Sequence, residues 1–436
     1  MAIVLENALL ADIDPIRVEA GSLRMDGGRI VGRGANVGRE GSDEAVDCRG
    51  ALALPGLVNG HTHVYSALAC GMPSPPRVPT DFAEVLELVW WRLDRALDAE
   101  SNEMSARIGA LDAVHCGTTT LIDHHASPNS IAGSLDQIEH GLAGVGVRGV
   151  LCYETTDRNG PAGRDAGIEE NRRYLDKSLR RDNHVFTGMV GAHAAFTLEE
   201  ETLEELAALA KSFNTGVHVH VAEDPCDEER CSAKHQVFLI DWLAGHGFLR
   251  AESIFAHGTH LDADAVLRVR QAEATIAHCP RSNMNNAVGY APVAQFGRAA
   301  MLGTDGIGSD MFAEARAAWW IACHEHAGLS PLDILGMLAN SARRASVALD
   351  IPLGKLDIGA AADVVITDYC PATPVTTDNL PGHFLFGLAA RHVVSVIADG
   401  RWLMRDRVVK TCDEPRLRRE SAKIAARLWD RMAKIA

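Results

Sequence analysis

The chain contains three His-x-His pairs, His61/His63, His218/His220 and His324/His326. A neutral imidazole nitrogen is a strong ligand for zinc and similar divalent ions. Alternate residues of a β-strand project from one face, so a pair on a strand aims two nitrogens at one point. Spacing alone is weak evidence, because 19 His scattered over 436 residues give roughly 0.8 such pairs by chance. The pairs gain meaning from polar residues in matching places elsewhere. Successive apolar runs end in His61 and His63; Asp123, His124 and His125; Glu154; His193; His220 and Glu223; His257; His278; and Asp305.

Eight runs carry these residues: "LALPGLVNGHTH", "TTTLIDHH", "VRGVLCYETT", "HVFTGMVGAHAAFT", "GVHVHVAED", "SIFAHGTHL", "ATIAHCPRSN" and "AAMLGTDG". Helical patterns such as "EVLELVWWRLDRAL" and "TLEELAALAKSF" lie between them. Eight β–α units predict a closed (β/α)₈ TIM-like barrel, with a doubly wound sheet as the competing architecture. A barrel gathers the C-terminal ends of its strands on one face, where such folds carry their sites. His61, His63, His220 and Asp305 can then form one N₃O set, which suits Zn²⁺ and also Fe²⁺. An open position on that ion would lower the pKa of water towards neutrality.

The two ends of the chain read differently. "LRMDGGRIVGRG" near the start, and "AADVVITDY" and "HVVSVIADGRWLMRDRVV" near the end, are short strands with glycine turns. They predict one small β-sandwich domain formed from both termini, residues 1–55 with 360–412, around a barrel at 56–359. Residues 413–436 predict a final helix packed on the body, with Leu417, Ile424, Leu428, Met432 and Ile435 on one stripe.

Composition narrows the function classes. Fifty-eight acidic against 42 basic residues give a net charge of −16, which disfavours nucleic acid or an anionic membrane as partner. Ten Cys without a regular framework point to a reducing, cytoplasmic setting. "MAIVLENALLADID" has no basic n-region and its apolar run is broken, so no signal peptide is expected, and no run of about 18 apolar residues predicts a membrane span.

"PGLVNGHTH", "HVHVAED", "AHG", "HCPRSN", "LGTDG" and "GKLDIGAAADVVITD" together resemble the amidohydrolase superfamily, in its cytosine-deaminase-like branch. "WWRLDRALD", "IDHHASP", "CYETTDRNG", "RSNMNNAVGY" and "GTDGIGSDMF" look most like the SsnA-type aminohydrolases within it. The resemblance spans nearly the whole chain. It implies that His61, His63 and His220 are metal ligands and that Asp305 contacts the metal and takes a proton from the reacting water. It implies that Glu223 is the acid–base glutamate and that His257 stands beside that water. The implied reaction is hydrolytic deamination of an aminated N-heterocycle, such as a purine or pyrimidine, with release of ammonia. A homodimer is expected from the family alone.

Several positions depart from the family pattern or stay open. Binuclear relatives often carry a bridging lysine on the fourth strand, but here that strand ends in "GAHAAFT", so one metal is expected rather than two. Glu154 on the third strand leaves room for a bridge. His193, Arg281, Asn283, Trp90 and Glu154 are candidate substrate contacts, and the Pro-rich segment from 70 to 97 is a candidate lid. Ser309 and Asp310 could shape the pocket or brace the metal ligands. His218 competes with His220, and the His-x-x-Glu spacing to Glu223 favours His220. His278 either lines the pocket or bonds within the wall, and His324 and His326 read as solvated. "PCDEERC" has the wrong spacing for the other zinc-deaminase fold. Two other functions use the same residues: dechlorination or cyclic-amide hydrolysis of a triazine- or hydantoin-like ring, and an inactive amidohydrolase-like scaffold.

Overall fold

The computed structural model describes residues 2–180 and 184–435. Met1, residues 181–183 and Ala436, which the expected domain ranges include, lie outside the described residues.

Eight parallel strand positions follow one another around a barrel. They are Leu57–Thr62, Thr118–His125, Arg148–Tyr153, a fourth broken into Phe186–Gly188 and Val190–Ala194, then Val217–Val221, Ile254–His257, Thr275–His278 and Ala300–Leu302. Each lies inside one of the eight runs read from sequence. The main-chain ladders form a four-strand and a five-strand sheet. Parallel bridges Thr155↔Ala192 and Thr62↔Asp305 join them at both seams, so the barrel closes and the doubly wound alternative is excluded.

Strand periodicity sorts the side chains. In Val217–Val221 the three valines pack into the large core beneath the helices, while His218 and His220 face the other way. Below the histidines, Val58, Ile122, Val150, Met189, Ile254, Ala277 and Met301 form an apolar floor. That floor keeps water away from the lower side of the polar cluster and supports it rigidly.

The strands from both ends of the chain make one nine-strand sheet. Its alternation serves two cores at once. Leu52, Leu54, Val365, Val396 and Ala398 join the barrel core, while Ala53, Val364, Ile366 and Ile397 join a second core with Leu5, Leu10, Leu23, Met25 and Ile30. The sheet closes over that second core where Arg29 bridges Ala361 and Ile30 N–H donates to the Ala360 carbonyl at 2.9 Å. The two faces of the terminal domain are thus parts of one hydrogen-bonded sheet.

Glu414–Met432 is a helix with Leu417, Ile424, Leu428 and Met432 buried along one stripe. Ile435 lies beyond its end, half-buried against the same core. Arg431 donates to the Ala96 carbonyl, and Trp429 Nε1 to that of Leu68. The helix therefore braces the segment that carries Trp90 and Trp91. No helix among the described residues is long and apolar enough to cross a membrane.

Candidate metal centre and active site

The seam between the first and eighth strands builds the centre. Asn59 Nδ2 donates to Thr304 Oγ1 at 2.6 Å, its Oδ1 accepts from Thr304 N–H at 3.1 Å, and Asp305 N–H donates to the His61 carbonyl at 3.0 Å. Gly303 sits where a Cβ would stand 2.7 Å from His61 Cβ, so only glycine lets the strands meet this closely. Asp305 and His257 both have left-handed backbone, φ 54° and 72°. Such strained positions persist where the surroundings over-determine them, as in a site that needs one side-chain direction.

Hydrogen bonds assign the imidazole tautomers. His63 Nδ1–H donates to the His124 carbonyl at 2.6 Å, and His220 Nδ1–H to that of His193 at 2.9 Å. The Nε2 atoms of both rings then face each other at 3.1 Å. Two acceptor nitrogens this close need a proton or a cation between them. His61 Nδ1 meets His218 Nε2 at 2.8 Å, and His61 Nε2 is buried without a hydrogen-bond partner. Asp305 Oδ1 lies 3.0 Å from His63 Nε2 and 3.5 Å from His61 Nε2, and the Ser282 hydroxyl donates to Oδ2. One ligand atom from each of His61, His63, His220 and Asp305 lies within 4.8 Å of all the others. Three imidazoles and a carboxylate in that arrangement fit a divalent ion.

Glu223, His257 and Asp305 form a second, overlapping group. His257 Nδ1–H donates to Asn283 Oδ1 at 2.9 Å, which turns Nε2 towards Glu223 Oε2 at 3.4 Å. Burial, then the nearby Asp305 charge, pushes the Glu223 carboxyl well above the usual range. Asp305 moves the other way: burial raises it, but its contacts with His61 and His63 outweigh that and hold it well below. Two adjacent carboxyls with opposed proton affinities are what acid–base chemistry at one carbon requires.

A cavity opens above this group. Its apolar walls are Phe82, Leu86, Trp90, Trp91 and Phe196, and its polar lining includes Glu154, His193, Asp94 and Asn286. Phe82, Trp90 and Trp91 come from the 70–97 segment, as a lid over a flat ligand needs. Asp227 accepts from Glu223 N–H at 3.0 Å and holds that turn.

The other candidates fall as follows. Trp90, Glu154 and His193 line the cavity. Arg281 does not: its side chain pairs with buried Glu314 and donates to the carbonyls of Ile307 and Gly308 at 3.0 and 2.8 Å. It braces the loop after Asp305 instead of reaching a ring carbonyl. Asn283 is likewise behind the wall, buried against His257 and Thr259. The two sit on the helix Pro280–Asn285, whose turn points them away from the cavity. His218 lies one level below His220, against His61 and Cys152. On the seventh strand Ala277 and Cys279 face the barrel interior, whereas His278 lies on the opposite side with Ile276, near Tyr290. Ser309 touches the centre through Asn59, and Asp310 caps the helix Met311–His324. His324 and His326 are exposed. Ser282, Asn286, Asp227 and Asp94 had no sequence signal of their own. Ser282 stood between two named residues of "PRSN" and only the three-dimensional turn singles it out.

The amidohydrolase family model matches residues 52–403. The 5-methylthioadenosine/S-adenosylhomocysteine deaminase of Halobacterium salinarum is 27% identical over 410 residues, 92% of each chain. The 5′-deoxyadenosine deaminase of Methanobrevibacter smithii is 25% identical over 435 residues, 97% of each chain. Among solved structures, an adenosine deaminase from Xanthomonas campestris with bound zinc superposes with a TM-score of 0.84 at 20% identity, covering 99% of each chain.

Proposed function

We propose, for a chain that belongs to the amidohydrolase family and is a hydrolase of C–N bonds, that the reaction is deamination of an aminated purine, in the adenosine class before free pyrimidines. The carrying observation is the convergence of His61, His63, His220 and Asp305 beside the Glu223–His257 pair under one cavity. The relatives that match over nearly their full length bear names of adenosine-type deaminases, which favours that ring over a triazine or hydantoin.

His61, His63, His220 and Asp305 would hold one divalent ion, Zn²⁺ before Fe²⁺. When bound, that ion supplies a Lewis acid that makes water nucleophilic near neutral pH. The chain's own residues handle the protons. Glu223, kept protonated by burial, donates to the ring nitrogen next to the amino-bearing carbon. Asp305 and His257 accept the two protons of the attacking water; one reprotonates Glu223, which passes it to the departing amine, and the other restores Glu223 for the next turnover. The amino carbon becomes a carbonyl and ammonia leaves. Phe82, Trp90 and Trp91 hold the flat ring and exclude bulk water, with Glu154 and His193 on its polar edge.

Ten free cysteines support a reducing, cytoplasmic setting. A homodimer is supported by the apolar groove where Met284 and Trp320 are exposed beside Ala317 and Ile321. The decisive test is ammonia release from the zinc-loaded chain offered adenosine, 5′-deoxyadenosine, methylthioadenosine, cytosine, guanine, pterins and chlorotriazines. Turnover of the adenosine group is expected. Chloride release from triazines with no ammonia from any purine would overturn the reading, and inactivity towards all of them would favour a scaffold.

A further inference from the structure

The helix Pro331–Leu349 packs against the apolar floor of the barrel through Ala342, Ala345 and Leu349. Arg344, on the same helix, is only 8% exposed. Its Nε is buried without a hydrogen-bond partner, and no hydrogen bond or ion pair reaches the rest of its guanidinium among the described residues. Arg148, the other buried arginine among them, shows the contrast: it pairs with both Asp363 and Asp399. A guanidinium keeps its charge in a protein, and a buried charge without a partner is costly unless something compensates it.

Arg344 lines a cavity at the N-terminal ends of the fourth, fifth and sixth strands, at the opposite end of the barrel from the metal centre. Thr187 on the fourth strand, Thr215 before the fifth and Glu252 before the sixth line it too. Neither threonine side chain makes a hydrogen bond among the described residues, so both hydroxyls are free to donate. Ser178 is already committed, its hydroxyl donating to the Tyr174 carbonyl at 2.8 Å. Glu252 is the one carboxylate on the wall and makes no ion pair with Arg344. Burial pulls the guanidinium down to about 10 and Glu252 offsets this only in part, so Arg344 stays charged at neutral pH.

We propose that this cavity is a binding site for hydrogen phosphate, held by Arg344 and selected by Glu252. A guanidinium fork pairs with two oxygens of an oxyanion at once, and the two threonine hydroxyls can donate to the others. Glu252 decides which oxyanion fits. A carboxylate repels a bare dianion but accepts a hydrogen bond from a P–OH group. Phosphate keeps such a hydroxyl at neutral pH, whereas sulfate has none. The site shares no residue with the cavity above Glu223, so it stands apart from the deamination reading.

Calorimetry on the full zinc-loaded chain, with inorganic phosphate and with sulfate at neutral pH, tests this. Phosphate is expected to bind, and sulfate to bind at least about tenfold more weakly. Arg344→Met should weaken phosphate by about tenfold or more. Glu252→Gln should erase the preference, chiefly by admitting sulfate. Arsenate, a protonated tetrahedral analogue with an anomalous signal, should give a difference peak beside Arg344 in crystals of the unaltered chain. Absence of phosphate binding, or equal affinity for the two ions in the unaltered chain, would overturn the proposal. Phosphate binding that survives Arg344→Met would also overturn it, by placing the ion at the metal centre or elsewhere. If that variant does not fold, the arsenate map decides, and a map with no peak beside Arg344 sinks the proposal.

Discussion

His63 Nε2 and His220 Nε2 face each other at 3.1 Å, each ring having already committed its Nδ1 hydrogen to a main-chain carbonyl. This single relationship leaves the centre in need of a proton or a cation, and it sets how metal binding should depend on pH. Burial lowers His63, but Asp305 at 3.0 Å outweighs it and lifts the imidazole to about 9. Below pH 9 the metal-free ring therefore carries an extra proton, which an incoming ion must displace. Calorimetry in buffers of different ionisation enthalpy should count about one proton released as Zn²⁺ fills this site at pH 7 to 8. Apparent affinity should fall about tenfold per pH unit as pH drops below 9. No proton release at pH 7 would remove His63 from the ligand set.

Ligand and proton carrier should separate cleanly by mutation. Glu223→Gln is expected to keep the ion at His61, His63, His220 and Asp305 while kcat falls by about 10²- to 10⁴-fold. His61→Ala should instead lose that ion, seen as a missing anomalous peak at this position. Full turnover in the glutamine variant would refute the acid–base role.

Asn283 is placed to act through His257 and not to reach the cavity. Its Oδ1 accepts the His257 Nδ1 hydrogen and so keeps Nε2 facing Glu223. Asn283→Ala should lower kcat by roughly 10- to 100-fold, with KM nearly unchanged. A rise in KM alone would mean that Asn283 reaches the substrate after all.

Arg281 is expected to matter for stability. Glu314 is fully buried against it, and burial, opposed by Arg281, lifts the Glu314 carboxyl to about 7. Arg281→Met leaves that carboxyl without its partner and should cost about 3 kcal/mol in denaturant unfolding at pH 8. Glu314 has a folded pKa above its unfolded value, so its ionised form is what burial penalises. The variant's loss should therefore shrink as pH falls below 7 and Glu314 takes up a proton. A loss that is the same at pH 5 and pH 8 would contradict this account.

Much of the fold was already legible in the amino-acid order. Strand alternation, eight apolar runs and their polar endings pointed to a barrel with its chemistry on one face, because side-chain period and strand direction are local properties, and only the bridges Thr155↔Ala192 and Thr62↔Asp305 closed it. The residues at the centre could be named because each ends a strand. Residues on the turns beyond the strands could not be placed this way. Arg281 and Asn283 look like substrate contacts in "PRSN", yet the helix that follows strand seven rotates both behind the wall, while Ser282 between them turns to Asp305. His278 ends a strand like its neighbours, but its register puts it on the helix side. The lone pairs on the Nε2 atoms of His63 and His220 belong to the tertiary structure alone. They depend on which main-chain carbonyl each ring nitrogen meets, and those carbonyls come from strands far away in the chain.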